Sequence, residues 1–282
     1  MNSRNLVNLS LLIFLIIAAT IFINSKNTDT NSARLTSLEL NEITDIEIYK
    51  ANKRNIVFIK KTDDIWYMEK PYQIKAHQFR INTLLSLSQT AVKESYAIDA
   101  LNLSDYALDK PRAHISFNNT DILFGKTNTI NNKRYLSAEN KMTLINDQTY
   151  PLVSAHASSF ISLSLLDDDF KIIKIKTPKA VIQRDKDYLW QSLGDHRLNA
   201  DQIQSFLEHW KSAKAFAVHE MVNKAPLGKI TISSKNDNVI FHITDDDPWL
   251  ILSRPDLNIE YHIDKSMKNI LYGITKPEAP NA

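Results

Sequence analysis

After residue 41 the hydrophobic and polar positions alternate with a period of two along most of the chain. That rhythm is broken twice by a period near that of a helix. In "ITDIEIYK" Ile46 and Ile48 share one face while Asp45 and Glu47 share the other, as in a half-buried strand. "NIVFIKK" and "DIWYMEK" follow, separated by "TDD", which suits a hairpin turn, and Pro71 closes the group. "FRINTLLSLSQTAV" then places Ile81, Leu84, Leu85 and Val92 near one helical face. Short strand-like runs return in "AHISFNN", "DILFGK", "KRYLSAE", "KMTLIND" and "TYPLV".

The second half runs through the same order. "FKIIKIKT", "KAVIQRD" and "DYLWQSL" read as strands. "ADQIQSFLEHWKSAKAF" reads as a helix with Ile203, Phe206, Leu207 and Trp210 at spacings of three and four. "GKITISS", "NVIFHIT", "PWLILSR" and "IEYHIDK" read as strands again. Aligned without a gap, "IVFIKKTDDIW" (56–66) and "AVIQRDKDYLW" (180–190) set Val57 against Val181, Asp63 against Asp187 and Trp66 against Trp190. Leu84–Leu85 then correspond to Phe206–Leu207, "ILF" at 122–124 to "VIF" at 239–241, and "TLIND" at 143–147 to "YHIDK" at 261–265. Self-similarity of this kind points to internal duplication. The expected fold is α+β, with an N-terminal transmembrane helix followed by two similar units, each a mostly antiparallel sheet with a packed helix. The expected boundaries are an anchor at 1–24, a tether at 25–40, a first unit at 41–154, a connector at 155–169, a second unit at 170–273 and a disordered tail at 274–282. Trp66, Leu84, Leu85, Trp190, Phe206 and Leu207 are the expected structural core, since large aromatics dominate core energetics. A groove lined by the two tryptophans is the alternative.

The stretch "LVNLSLLIFLIIAATIFI" is apolar except for Asn8, Ser10 and Thr20. As a helix it would reach roughly 27 Å at about 1.5 Å per residue, close to the thickness of a bilayer core. Leu6, Leu11, Leu12, Phe14, Leu15, Ile16, Ile17, Ile21, Phe22 and Ile23 are therefore expected to anchor the chain in a membrane as a single uncleaved span. A cleaved signal peptide is the alternative, and the run continues through Phe22 and Ile23 without a clean small-x-small site. Arg4 precedes the span while Lys26 and Arg34 follow it, a weak positive-inside bias; the body is expected in the periplasm, with a cytoplasmic body as the other orientation.

Composition narrows the function more than it defines it. A formal net charge of +2 over 282 residues argues against nucleic acid as a partner. The absence of cysteine excludes disulfides, thiol catalysis and Cys-ligated metal. The four glycines, Gly125, Gly194, Gly228 and Gly273, lie too far apart to build a phosphate-cradling loop. Two acidic triplets, Asp167–Asp169 and Asp245–Asp247, lack the glycine and the following glutamate of a calcium loop and read as solvated turns. The eight histidines form no H-x-x-x-H pair; His242 and His262, placed on neighbouring expected strands, are the one candidate metal pair. Glu208 with His209 and His219 with Glu220 are conceivable acid–base pairs, though a charged helix face is the simpler reading. No catalytic, cofactor-binding or metal residue is assigned, and no cofactor is expected.

The apolar N-terminus, "IYKANKRNIVFIKKTDDIWYMEKP", the helix with "INTLLSLS", and "YALDKPRAHISFNNTDILFGKTNTINNKRYLS" together resemble an uncharacterised bacterial membrane family, domain of unknown function 4340. The "Y-x-L-D-x-P" pattern falls on Tyr106, Leu108, Asp109 and Pro111, where Pro111 fixes φ ahead of the next strand. The matching region of the second half, "NKAPLGKI", lacks the Tyr and Asp. The resemblance implies an envelope protein, associated with ABC-transporter or gliding-type systems, and brings no catalytic residues with it. The expected function is a non-enzymatic interaction or accessory subunit of an inner-membrane complex with an envelope protein partner. The alternative is a periplasmic ligand-binding module that holds a glycan or lipid between its two units.

Overall fold

The computed structural model describes residues 33–50, 54–194 and 197–273. The expected anchor at Leu6–Ile23, the first part of the tether and the C-terminal tail lie outside the described residues. Among those described, no helix is long and apolar enough to cross a membrane. The chain is α+β, with antiparallel sheets and few helices.

A two-stranded ribbon pairs β1 (Ala33–Arg34) with β6 (Ala91–Val92). The first large sheet contains β2 (Asp45–Tyr49), β3 (Ile56–Lys60), β4 (Trp66–Lys70), β5 (Ile74–Lys75), β7 (Ser95–Ala97), β8 (Ala113–Phe117), β9 (Thr120–Thr127), β10 (Arg134–Ala138) and β11 (Lys141–Ile145). Its spatial order is β5-β4-β3-β2-β8-β9-β10-β11-β7. The second contains β12 (Lys174–Lys176), β13 (Val181–Arg184), β14 (Trp190–Leu193), β15 (Ala217–Glu220), β16 (Gly228–Ser233), β17 (Asn238–Asp245), β18 (Trp249–Arg254) and β19 (Ile259–Asp264). Its order is β14-β13-β12-β16-β17-β18-β19-β15. The helices are α1 (Gln78–Ser88), α2 (Tyr150–Val153), α3 (Ala200–Ser212) and α4 (Met267–Tyr272).

Leaving out β5, the two strand orders correspond one for one, and α1 and α3 occupy the same place in the chain order of their sheets. The register agrees in detail. Phe58 lies opposite Ile46 and Ile182 opposite Ile175; Lys60 pairs with Trp66 and Arg184 with Trp190. The turns between those strands share a left-handed residue, Asp64 at φ 61° and Tyr188 at φ 62°. One correspondence expected from sequence shifts by two residues. Leu136 pairs with Phe124 and Leu252 with Ile243, so Phe124 matches Ile243 and Ile122 matches Phe241. The hairpin turns before β9 and β17 differ in length, and a period-two pattern reads equally well in either of two registers two residues apart. A bulge follows Phe124 and Ile243 alike.

Other expectations move for local reasons. α1 ends at Ser88 instead of reaching Val92, which is buried in β6. "TYPLV" is helix α2, not strand: Pro151 sits in its first turn and Asp147 Oδ1 accepts the N–H groups of Thr149 and Tyr150 at 3.2 and 2.8 Å. α3 starts on a reciprocal capping box, Asn199 with Gln202, and stops at Ser212 short of Phe216. Strands β7 and β15 and helix α4 had no counterpart in the sequence reading. Residues 33–36 are docked on the first unit instead of belonging to a free tether; Leu35 and Thr36 are buried.

The connector joins the two sheets physically. Ala76 bridges Ile161, and Ser162 N–H donates to Lys75 O at 2.9 Å, which covers the β5 edge. Ser164 bridges Lys214, and Ala215 N–H donates to Leu163 O at 2.8 Å, next to the β15 edge. Buried residues of both units form one continuous cluster. Trp66, Leu84, Phe206 and Leu207 are buried in it, while Leu85 and Trp190 are half-buried against it.

The "YALDKP" stretch lies on the crossover from β7 to β8. Its Leu108 is buried, and a Cβ on Gly125 would overlap the Tyr106 carbonyl oxygen. Arg134 pins the same place: it donates to Gly125 O at 2.8 Å, forms a buried ion pair with Asp147, and stacks 3.9 Å from the Tyr150 ring.

Candidate functional site

The inner face of the second sheet is apolar along β18 and β19 except at one end. There Arg254 follows Leu250 and Leu252, and Tyr261 lies between Ile259 and Ile263. Leu252 pairs with Tyr261 and Arg254 with Ile259, so the two polar groups are near neighbours on the face. They line a cavity of about 480 Å³ whose other walls include Tyr67, Glu69 and Lys75 from β4 and β5 of the first sheet, Asp167 and Phe170 at the end of the connector, and Asp237 beside β17. Leu257 separates it from a second cavity of about 600 Å³, walled by Arg54, Tyr72, His156 and Glu220. Both cavities take residues from each side of the connector.

The charges around the first cavity are mostly engaged. Arg254 donates from Nε and Nη2 to the two carboxylate oxygens of Asp256 at 2.9 and 2.6 Å, and its guanidinium lies 5.7 Å from the Phe241 ring. Burial pulls the Arg254 pKa down, but the Asp256 hydrogen bonds and charge outweigh it and raise the value; the same bonds hold Asp256 below the usual carboxylate value. Lys75 holds Asp168 at 2.5 Å. Lys61 Nζ sits 3.8 Å over the Tyr67 ring.

Two groups are different. Asp167 lines the cavity while remaining exposed to solvent, and its carboxylate has no hydrogen bond or ion pair to another described residue; partial desolvation, then the neighbouring Asp169, pushes its pKa up. Tyr261 is 1% exposed and reaches the cavity wall, and its hydroxyl takes no hydrogen bond among the described residues. Burial pushes its pKa up to about 12, so it is a neutral donor and acceptor at physiological pH.

The residues singled out from sequence fall elsewhere. His242 and His262 are not neighbours, because β18 runs between their strands. His262 instead meets His219, ring centroids 4.7 Å apart, and bonds the buried Glu260 at 2.8 Å. His219 and Glu220 lie on β15 and Glu208 and His209 on α3, so the two conceivable acid–base pairs are on separate elements. Among the described residues no group of three or more His, Asp or Glu is placed to hold a metal. The Asp245–Asp247 triplet is neutralised by Lys224, Lys268 and Lys265 at 3.1, 2.5 and 2.6 Å. The Asp167–Asp169 triplet has one lysine, Lys75.

Sequence reasoning missed Arg254 and Tyr261. The strand register makes Leu136–Ser137 equivalent to Leu252–Ser253, a dipeptide too frequent in the chain to have served as a signal by itself. Aligned on it, the first unit carries Ala138 and Thr143 where the second carries Arg254 and Tyr261. On the opposite face of the second sheet, Phe216 and Trp249 are 53% and 44% exposed and pack edge to face with centroids 5.0 Å apart.

Comparison with curated proteins and with solved structures found no significant match. A family model, described as a domain of unknown function (DUF4340), matches residues 66–231, from β4 of the first unit to β16 of the second. That span covers more than half of the chain and includes the crossover, the connector and α3, so the protein belongs to the DUF4340 family.

Proposed function

We propose that the protein is a single-pass membrane-anchored accessory subunit of a bacterial envelope complex of the ABC-transporter type, with a non-enzymatic body in the periplasm. The apolar run Leu6–Ile23 supports the anchor. The shared strand order and matching bulges of the two sheets support descent of the body from one duplicated unit. The exposed Phe216–Trp249 pair carries the docking reading. Aromatic side chains are enriched in the centres of protein interfaces, where little rotamer freedom is lost on contact.

The pair is linked to buried structure through His262. Glu260, buried farther along β19, accepts from Val222 N–H at 3.0 Å and bonds His262, whose ring lies 6.2 Å from Phe216. The test is a mild-detergent pull-down of the tagged full-length chain followed by mass spectrometry. Wild type should bring transporter subunits in stoichiometric amount, and Phe216→Ser/Trp249→Ser should lose them while keeping its melting temperature. Wild type recovered alone, or an unchanged set of subunits with the double variant, refutes the reading.

A further inference from the structure

The cavity between the sheets carries an inference independent of the docking role. Its polar groups are not demanded by the fold. The first sheet has the same topology and packs with Ala138 and Thr143 in the positions of Arg254 and Tyr261, and Thr143 satisfies its hydroxyl on Glu94 O at 2.7 Å. In the second sheet a guanidinium and a phenol stand on an otherwise apolar face, which is unfavourable unless their hydrogen-bonding capacity is used. Arg254 has used part of its own on Asp256. Tyr261, almost wholly buried, has used none of its own on described side chains or backbone, and the solvent-exposed Asp167 in the same lining is an unengaged acceptor.

Charge decides the class of ligand. An anion would meet three carboxylates, Glu69, Asp167 and Asp237, while Lys75 and Arg254 are already held by Asp168 and Asp256. A cation would meet as many positive groups, Lys61, Lys75 and Arg254, so the lining favours neither sign of charge. An acyl chain would strand the Tyr261 hydroxyl and the Asp167 carboxylate without partners. Neutral hydroxyl groups suit all three: Asp167 accepts, Arg254 donates from its remaining N–H groups, and Tyr261 does either. Phe170 and Leu257 supply apolar surface for the C–H faces of a ring. A volume of about 480 Å³ lies inside the range of small-molecule pockets, roughly 300–1,000 Å³.

We propose that this cavity is a binding site for an uncharged polyhydroxylated ligand of the glycan class, with Asp167, Arg254 and Tyr261 as its hydrogen-bonding groups.

The test uses the full-length chain in a detergent without a sugar headgroup, titrated calorimetrically with maltose, cellobiose and N,N′-diacetylchitobiose, and in parallel with inorganic phosphate and octanoate. At least one disaccharide should bind. Tyr261→Phe, which keeps the ring in the core, should weaken that binding about fivefold to tenfold, as expected for one lost hydrogen bond. Asp167→Asn should weaken it as well, and both variants should melt within a few degrees of wild type. No binding of any disaccharide at up to about 10 mM, an affinity weaker than about −3 kcal/mol, would overturn the proposal. So would disaccharide binding indifferent to both substitutions, or phosphate or octanoate binding that Tyr261→Phe weakens.

Discussion

Gly125→Ala tests how the crossover is seated on the first sheet. Gly125 lies just past the last regular pair of β9, at the bulge, with the Tyr106 carbonyl directly over it. An alanine Cβ would overlap that oxygen and would also press on Leu108 Cγ and Cδ2 at 3.2 Å each. Neither neighbour yields easily. Leu108 is buried, the Tyr106 ring packs against Tyr135 with centroids 4.9 Å apart, and the Gly125 carbonyl is held by Arg134 at 2.8 Å.

Forcing a methyl into such a place costs about 1–3 kcal/mol where the surroundings absorb it. If the crossover lifts instead, burial of Leu108 is lost, about 2–3 kcal/mol. The expected loss is therefore about 3 kcal/mol, measured as a shift of the urea midpoint at constant m-value, or as a melting point lower by about 6–12 °C for a body of this size. Gly228→Ala is the control. Its Cβ would meet only side-chain atoms, Ile243 Cδ1 at 3.2 Å and Pro178 Cγ at 3.4 Å, and its loss should stay below about 1 kcal/mol. Equal, small losses from the two glycines would refute the argument that the crossover requires glycine at 125.

Trp66→Ala should destabilise by about 3–5 kcal/mol, while Trp190→Ala, at the corresponding but half-buried position, should cost about half as much; equal losses in urea melts would contradict the difference in burial. Asp256→Asn should destabilise near neutral pH and the gap to wild type should close on acidification. The folded-state pKa of Asp256 lies below its ordinary value of 3.8, so its contribution is present above that value and is lost as pH falls through the folded one. A gap that widens as the pH is lowered towards 3 would reverse that assignment.

What the sequence disclosed was periodic or local. The hairpins at 56–66 and 180–190 were legible because alternation, a polar turn and a closing tryptophan coincide within eleven residues, and the two turns share their backbone form. The helices were legible as apolar stripes but not their ends: Val92 and Phe216 continue the stripe in composition while the backbone has already turned to strand or seam. β7 and β15 are edge strands of three and four residues, too short for a period to register. The connector carries no strand signature, since its pairing is with two edges supplied from elsewhere. The cavity was hidden for a related reason: Asp167 is distant in sequence from Arg254 and Tyr261, and the register of β18 with β19 is what sets the last two on one face.

The connector's placement makes the two halves unequal in assembly. The edge at β5 is covered by Phe160–Ser162, which belong to the segment that directly follows the first unit, so a chain ending at residue 169 contains everything needed to close its own edge. Among the described residues, the edge beginning at Ala213 takes its backbone hydrogen bonds from Leu163–Leu165, upstream of the second unit. A fragment of residues 170–273 would present unpaired backbone flanked by the normally buried Ala213 and Ala215, a template for edge-to-edge association. Chain order therefore gives the first half its own guard against aggregation and makes the second half dependent on a guard synthesised before it.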